Sequence, residues 1–184
     1  IHNVENTMAA LLMTVSLLEI KGITPDLKAI AEACYSFKGL EHRMEFAGEF
    51  HGRIFINDSK ATTIGAVEMA VKSIKDRGIL ILGGRTKGDD YSRLRAVTGE
   101  KVRAIVLIGE SSSEFEKIFH GFNTVKAESI DDAVAKSMKL SQEGDMILLS
   151  PACASFDMFK SFDERGKVFK ASVKKLIEGK ISWT

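Results

Sequence analysis

The chain has 184 residues, which is enough for one domain with a full hydrophobic core and a shorter attached segment. Its 26 basic and 25 acidic residues leave a formal net charge of +1 without a basic run, which argues against nucleic acid or an anionic membrane as the main partner. The two cysteines, Cys34 and Cys153, lie far apart without metal-ligand spacing, which argues against a disulfide framework and favours a reducing cytoplasm.

Two helices are predicted before the first strand. Residues 3–20 carry apolar side chains at helical spacing, but too few in succession to span a bilayer. A second helix is predicted to follow, with Thr24 as its N-cap and Pro25 at its first position. We therefore expect a helical segment over residues 1–38 and a separate unit over residues 39–184. The first residue is not methionine, which indicates a fragment of a longer protein.

Strands and helices alternate in the second predicted unit. Two strand-like runs between Met44 and Asn57 flank His51–Gly52, a plausible hairpin turn. Further apolar runs precede polar or glycine-rich loops, and these runs are residues 79–82, 104–108, 123–125 and 146–149. Apolar strands that alternate with helices are typical of a parallel sheet covered on both faces. The sequence therefore predicts an α/β fold with a mostly parallel sheet and helices on both faces, preceded by a short helical segment.

Three loops follow predicted parallel strands and therefore share the carboxyl edge of the sheet, where an open α/β sheet usually binds its ligand. These loops are residues 57–63, 83–90 and 150–156. They offer a carboxylate, two hydroxyls and two ammonium groups, from Asp58, Lys60, Thr62, Lys87 and Ser155. Glycines let backbone N–H groups approach an anion, and lysines supply positive charge. We therefore expect these five side chains to line one cleft that binds an anionic small molecule.

Simpler interpretations stay open for each loop. Asp58, Ser59 or Thr62 could merely cap the helix that follows, as such residues often do. Lys87 could be a solvated surface charge. Cys153 belongs to a residue type that is more often packed than nucleophilic, and no base lies next to it in sequence.

Four segments carry a resemblance to a known family. They are His2–Asn3–Val4–Glu5–Asn6, Phe37–Lys38–Gly39–Leu40–Glu41–His42–Arg43, Asn57–Asp58–Ser59–Lys60–Ala61–Thr62 and Leu149–Ser150–Pro151–Ala152–Cys153–Ala154–Ser155–Phe156–Asp157. In this order, and over essentially the whole chain, they resemble the Mur ligase family of ATP-dependent amide ligases. The first two patterns are shared across that family, whereas the last two are similar to its D-glutamate-adding members.

The resemblance implies a whole enzyme of three domains and an ATP-driven reaction. ATP would phosphorylate the carboxylate of UDP-N-acetylmuramoyl-L-alanine, and the amine of D-glutamate would attack the resulting acyl phosphate. This step belongs to peptidoglycan synthesis in the cytoplasm, and hence to cell wall biogenesis, cell shape and cell division. Residues 1–38 would be the tail of the central ATPase domain, and residues 39–184 would be the complete, Rossmann-like carboxyl-terminal domain.

The cofactors implied are ATP and Mg²⁺, whose main ligands would lie outside this chain. The sequence contains no G-x-x-x-x-G-K-[ST] phosphate loop, and the family's carbamylated, magnesium-holding lysine would also lie elsewhere. The chain alone is therefore expected to be inactive, and no metal ligand is assigned to it. Its partners would be the small-molecule substrates alone.

The resemblance also assigns roles to individual residues. The adenine would lie near Asn3 and Asn6, and the phosphates and ribose near Arg43 and Asp58. Arg43 and Lys60 would be catalytic contacts, with Arg43 placed to clamp developing phosphate charge. The D-glutamate α-carboxylate would be held by Thr62 and Lys87. Its side-chain carboxylate would be held by Ser155 and by the backbone around Phe156 and Phe162.

The chain departs from the family pattern at two places, and rival functions remain. Thr63 stands where the family often has Asn, and Arg85–Thr86 stands where it often has Asp-Gly, which could change the path of the loop that carries Lys87. One rival is another Mur ligase or a folylpolyglutamate synthase-type amide ligase. The other is a non-catalytic nucleotide-binding Rossmann module, although no G-x-G-x-x-G opens a helix after a strand.

Overall fold

The computed structural model describes residues 2–183, with side chains from residue 5 onward. The chain divides into two compact units, Ile1–Gly39 and Leu40–Thr184. Across residues 2–183, no helix combines the length and the apolarity that crossing a bilayer requires.

The first unit consists of two helices, α1 (His2–Ile20) and α2 (Leu27–Ser36). The N-cap of α2 is Asp26, whose carboxylate accepts hydrogen bonds from the backbone N–H groups of Lys28 and Ala29, both at 3.0 Å. The prediction of Thr24 as the N-cap was therefore wrong. Asp26 takes the position because its side chain reaches two of the unpaired amides of the first turn.

The second unit is built on a six-stranded sheet. Its strands are β1 (Glu45–Phe50), β2 (Arg53–Asn57), β3 (Gly78–Gly83), β4 (Val102–Ile108), β5 (Thr124–Ala127) and β6 (Met146–Leu149). They lie in the order β1-β2-β6-β3-β4-β5, and all neighbouring pairs are parallel except β1 and β2. The hairpin between β1 and β2 turns at His51 and Gly52, whose φ angles of 46° and 71° match a type I′ turn.

Helices cover both faces of this sheet. They are α3 (Ile64–Lys72), α4 (Arg93–Thr98), α5 (Ser112–Ile118), α6 (Ile130–Leu140) and α7 (Phe162–Ile177). One buried cluster joins α3, α4 and α5 to side chains such as Leu80 and Leu82, and the other joins α6 and α7 to Ile79 and Ile81. Alternate residues of β3 therefore face opposite layers, as a strand of period two requires. The predicted fold class, an α/β unit with a mostly parallel sheet behind a short helical segment, is confirmed.

The strand order places three predicted loops side by side. The central strand β6 lies between β2 and β3, and Leu149 at its end pairs with Asn57 of β2 and Ile81 of β3. The loops that leave these three strands therefore start from neighbouring points on the carboxyl edge. The chain continues from β2 to α3 on one face and from β6 to α7 on the other. Such a change of face is where open α/β sheets form a crevice.

Candidate functional site

Helix α3 is capped by the last residue of the loop after β2, and not by the residues before it. Thr63 is the N-cap of α3, and its hydroxyl accepts a hydrogen bond from the backbone N–H of Ala66 at 3.4 Å. The alternative that Asp58, Ser59 or Thr62 caps this helix was therefore wrong. Asp58 and Ser59 instead form hydrogen bonds to residues outside this loop, and the Thr62 hydroxyl lies 3.3 Å from the Lys87 ammonium.

Asp58 is a buried carboxylate that joins three segments. One oxygen accepts from the backbone N–H of Met44 at 3.1 Å, and the other accepts from the Ser150 hydroxyl at 2.9 Å. Burial raises the pKa of Asp58 to about 6, while these two hydrogen bonds and the charge of Arg43 oppose the rise. A carboxylate offers about four lone-pair positions, so both oxygens can still accept hydroxyl groups of a ligand.

Arg43 is exposed and is held in place through its neighbour His42. The His42 ring is buried, with Nδ1 accepting from the Asn57 amide at 2.9 Å and Nε2 lying 3.1 Å from a carboxylate oxygen of Asp163. The amide donor fixes the tautomer, because Nδ1 must accept and Nε2 must therefore carry the proton. The Arg43 side chain thus projects from an anchored position close enough to influence the titration of Asp58.

The ligand atoms of Glu41, His42 and Asp163 lie within 4.8 Å of one another. Both ring nitrogens of His42 are already engaged, and Asp163 also pairs with Lys167 at 2.7 Å. Asp58 is the one carboxylate among the predicted site residues, and it is buried and accepts hydrogen bonds from Met44 and Ser150. Mg²⁺ prefers several exposed oxygen ligands, so these residues do not fit a Mg²⁺ site.

Lys87 and Thr62 meet across two loops. The Lys87 ammonium donates to the Thr62 carbonyl at 2.9 Å and lies 3.3 Å from the Thr62 hydroxyl. The backbone N–H of Lys87 donates to the Tyr91 hydroxyl at 3.1 Å, and burial raises the pKa of Tyr91 to about 12. The presence of Arg85 does not prevent this approach, because its guanidinium turns away to pair with Glu110 at 2.9 Å.

The paired glycines before Lys87 serve the packing of loops. Gly83 donates its N–H to Pro151 at 2.9 Å, and Gly84 donates to the Ser111 hydroxyl at 3.1 Å. These two amides are therefore not free to bind an anion. Gly84 has a φ of 132°, and a Cβ there would collide with the Ala154 carbonyl, so only glycine lets the two loops approach this closely.

Ser155 lies in the loop after β6, beside the loop that carries Lys87. Arg85 and Ala154 exchange two backbone hydrogen bonds, at 2.8 and 3.0 Å. Lys87 and Ser155 therefore lie within two residues of the same backbone bridge. The Ser155 carbonyl accepts from Phe159 at 2.8 Å. The residue is only 2% exposed, but its hydroxyl oxygen is not among the buried atoms without a partner, and it makes no hydrogen bond to any of the described residues, so it can donate to a ligand.

Lys60, Phe156 and Phe162 complete the predicted set in the second unit. The Lys60 ammonium lies 5.6 Å from the centroid of the Phe162 ring, within cation–π range. The Phe162 carbonyl accepts from the Ser59 hydroxyl at 2.7 Å, and Phe156 exposes 64% of its surface. These residues flank the same loops as Ser155.

The two asparagines assigned to the adenine belong to the first unit. Asn6 is an exposed residue of α1, and the side chain of Asn3 lies outside the described residues.

Sequence reasoning missed the residues that hold the site together, above all Asn57 and Arg165. The Arg165 side chain is buried and donates to Ser59 and to the Cys153 carbonyl. Burial also raises the pKa of the Cys153 thiol to about 11, which makes Cys153 a packed residue and a poor nucleophile.

Comparison with known proteins gives one consistent family. Residues 42–153 match the family described as Mur ligase, glutamate ligase domain. The chain is 44% identical over 176 residues to the UDP-N-acetylmuramoylalanine–D-glutamate ligase of Chloroherpeton thalassium, covering 95% of this chain and 36% of that protein. It is 43% identical over 181 residues to the protein of the same name from Geotalea daltonii, covering 97% of this chain and 38% of that protein.

A solved structure agrees at the level of the fold. The UDP-N-acetylmuramate–alanine ligase from Thermotoga maritima superimposes with a TM-score of 0.65 at 16% identity, covering 96% of this chain and 38% of that one. At this identity the likeness shows the fold alone. The chain spans little more than a third of the length of the curated relatives it matches.

Proposed function

The chain belongs to the Mur ligase family, and from this premise we propose that it is the carboxyl-terminal portion of an ATP-dependent ligase that adds D-glutamate to UDP-N-acetylmuramoyl-L-alanine. The observation that carries the proposal is the pairing of Lys87 with Thr62 beside the unpartnered hydroxyl of Ser155. These groups can bind two carboxylates of one small molecule at neighbouring points. The 44% identity to a D-glutamate ligase supports the same choice of amino acid.

On the amino-acid side, each carboxylate of D-glutamate would meet a different kind of donor. The Lys87 ammonium would supply charge to the α-carboxylate, with the Thr62 hydroxyl as a second donor. The Ser155 hydroxyl and backbone N–H groups near Phe156 and Phe162 would bind the side-chain carboxylate directionally. Holding both ends leaves the amine as the one free polar group, and a fixed orientation is what a bimolecular attack gains most from.

On the nucleotide side, Asp58 and Arg43 would act as a pair. Asp58 is ionised at neutral pH, since its pKa is about 6, and can accept from the ribose hydroxyls. The exposed guanidinium of Arg43 would bind phosphate oxygens in a bidentate manner and stabilise the charge that develops on the transferred phosphoryl group. Lys60, held beside Phe162, would add positive charge at the acyl phosphate.

We assign residues 1–38 to the tail of the central ATPase domain. Two helices cannot enclose a core of their own, and this pair leaves much apolar surface exposed, with Met8, Leu12, Met13, Leu17, Ile20, Leu27, Tyr35 and Phe37 all at least half accessible. A domain contributed by the rest of a longer chain is the occupant that this assignment requires. ATP and Mg²⁺ would then be bound mainly by groups outside this chain, and the 184-residue chain alone should be inactive.

The test is an activity assay on the full-length ligase that contains this chain. With UDP-N-acetylmuramoyl-L-alanine and ATP present, ADP release should depend on D-glutamate, and mass spectrometry should find the glutamyl amide as product. L-Glutamate and D-alanine are the matched controls and should give little turnover. Turnover with a folate acceptor and glutamate would instead favour a folylpolyglutamate synthase, and nucleotide binding without turnover would favour a non-catalytic module.

A further inference from the structure

Arg165, in the first turn of α7, is a buried charge without a counter-ion. It is 1% exposed and is the largest fully buried side chain of the described residues. Nε donates to the Ser59 hydroxyl at 3.0 Å, and Nη2 donates to the carbonyls of Ser59 and Cys153 at 2.9 and 3.2 Å. All these acceptors are neutral. Within residues 2–183, no Asp or Glu forms an ion pair with this guanidinium.

The third nitrogen of the guanidinium has no hydrogen-bond partner in the part of the chain that the structure describes. Nη1 is buried and unsatisfied, and it points towards the loop of Lys87, since a Cβ on Gly84 would lie 3.2 Å from it. Arg165 therefore reaches all three loops of the candidate site. It touches the first through Ser59, the third through Cys153, and faces the second with a free donor.

The acidic residues around Arg165 are committed to other groups. Asp163 pairs with Lys167 and lies beside His42, and Glu164 accepts from the backbone N–H of Lys160 at 2.6 Å. Asp157 attracts the guanidinium at longer range, but its carboxylate accepts from Glu110 N–H at 3.0 Å. The positive end of the α7 dipole opposes a cation at this position.

A buried charge is costly unless an opposite charge compensates it. Burial lowers the pKa of Arg165 to about 10, so the group is still a cation at neutral pH. The protein thus maintains a positive charge beneath the loops that converge on Ser155. Asp157 compensates this charge only at longer range, so a bound anion would supply the close compensation that no carboxylate of the described residues gives.

We propose that Arg165 is a positioning and specificity-determining residue that favours an acidic amino acid in this site through its charge and through the Ser59 and Cys153 backbone. This inference rests on the proposed function and goes beyond its predicted substrate contacts. The buried guanidinium makes the site electropositive from below, so an amino acid with a second carboxylate binds better than a neutral one. The Ser59 hydroxyl extends the influence of Arg165 to Phe162, because it accepts a hydrogen bond from Arg165 Nε and donates one to the Phe162 carbonyl.

The experiment uses the full-length ligase with Arg165→Gln and Arg165→Lys. Arg165→Gln should raise KM for D-glutamate about tenfold while KM for ATP changes less than about twofold, because the lost charge acts on the anionic amino acid. Arg165→Lys keeps the charge but cannot repeat the forked hydrogen bonds, and its KM for D-glutamate should stay within about threefold of wild type. Arg103→Gln is the matched control, since Arg103 pairs with Asp145 at 2.7 Å at the opposite, amino edge of the sheet.

Several results would overturn the inference. An unchanged D-glutamate KM in Arg165→Gln, or an equal rise in KM for ATP, would reduce Arg165 to a purely structural role. If Arg165→Gln does not fold, Arg165→Lys decides, and a tenfold rise in its D-glutamate KM would refute a role based on charge. A wild-type enzyme that turns over without D-glutamate would refute the proposed function and the inference with it, so the two failures are distinguishable.

Discussion

Replacing Asp58 by Asn should make the chain more stable at neutral pH while impairing nucleotide binding. Asp58 is 5% exposed, and burial raises its pKa from 3.8 to about 6. The folded state therefore holds a proton more tightly than the unfolded state does, and the associated stability is present below about pH 4 and lost as the pH rises through 6. At about 1.4 kcal/mol per pKa unit, the loss amounts to roughly 3 kcal/mol.

Asparagine is the appropriate replacement because it is nearly isosteric and does not titrate. Its carbonyl oxygen can accept from Met44 N–H as the carboxylate does, and its amide can donate to the Ser150 hydroxyl, which reverses the direction of the bond that Ser150 makes to the carboxylate. The free energy of unfolding should be measured by urea denaturation of both proteins from pH 4 to pH 8. The advantage of Asp58→Asn over wild type should grow by roughly 2.5 kcal/mol across this range, because part of the full change lies below pH 4.

Asp90→Asn is the control for the direction in which stability changes with pH. Asp90 is an exposed carboxylate whose hydrogen bonds to Ser92 hold its pKa below the ordinary value, so the difference between Asp90→Asn and wild type should stay constant from pH 4 to pH 8 and show the opposite trend only below about pH 4. A difference between Asp58→Asn and wild type that stays constant from pH 4 to pH 8 would refute the reasoning. It would mean that burial does not raise the pKa of Asp58.

Two further substitutions test the site and its packing. Lys87→Ala in the full-length ligase removes a charge-assisted hydrogen bond worth about 1.5–3 kcal/mol, so kcat/KM for D-glutamate should fall by about one to two decades. The control is Lys126→Ala, which loses only a surface pair with Glu116 and should leave kcat/KM unchanged. Equal kinetics for the two variants would remove Lys87 from the site. In urea denaturation, Gly166→Ala should destabilise the chain by about 1–3 kcal/mol because the added methyl group collides with the His42 ring. Gly65→Ala, where the methyl group would lie in open space on α3, should stabilise the chain by about 0.5–1 kcal/mol. A stabilised Gly166→Ala would contradict the close packing of α7.

The strands and the loop positions could be predicted because both follow from local pattern. Apolar runs such as 79–82 and 146–149 can be buried on both faces only in a covered parallel sheet, and polar residues after such strands must lie at one edge. The cap residues could not be predicted in the same way. Thr63 replaces Thr62 at α3 because backbone conformation, which composition does not reveal, decides which hydroxyl faces the free amides.

The residues that hold the site together could not be identified from the sequence, because their contacts form only in the folded structure. Arg165 follows Asp163 and Glu164, and such a charged run at a helix start is typical of a solvated surface. Its burial arises only when α7 packs against the loops of Ser59 and Cys153, which are distant in sequence. The glycines at 83 and 84 indicated a close backbone approach correctly, but the partner is another loop of the protein.

The most direct test of the proposed site is the structure of the full-length ligase bound to its glutamyl product. The α-carboxylate of the glutamyl group should lie within hydrogen-bond distance, about 3 Å, of the Lys87 ammonium and the Thr62 hydroxyl. The side-chain carboxylate should lie at the same distance from the Ser155 hydroxyl, above the buried guanidinium of Arg165. A glutamyl group bound away from the loops that carry Lys87 and Ser155 would contradict the proposed site.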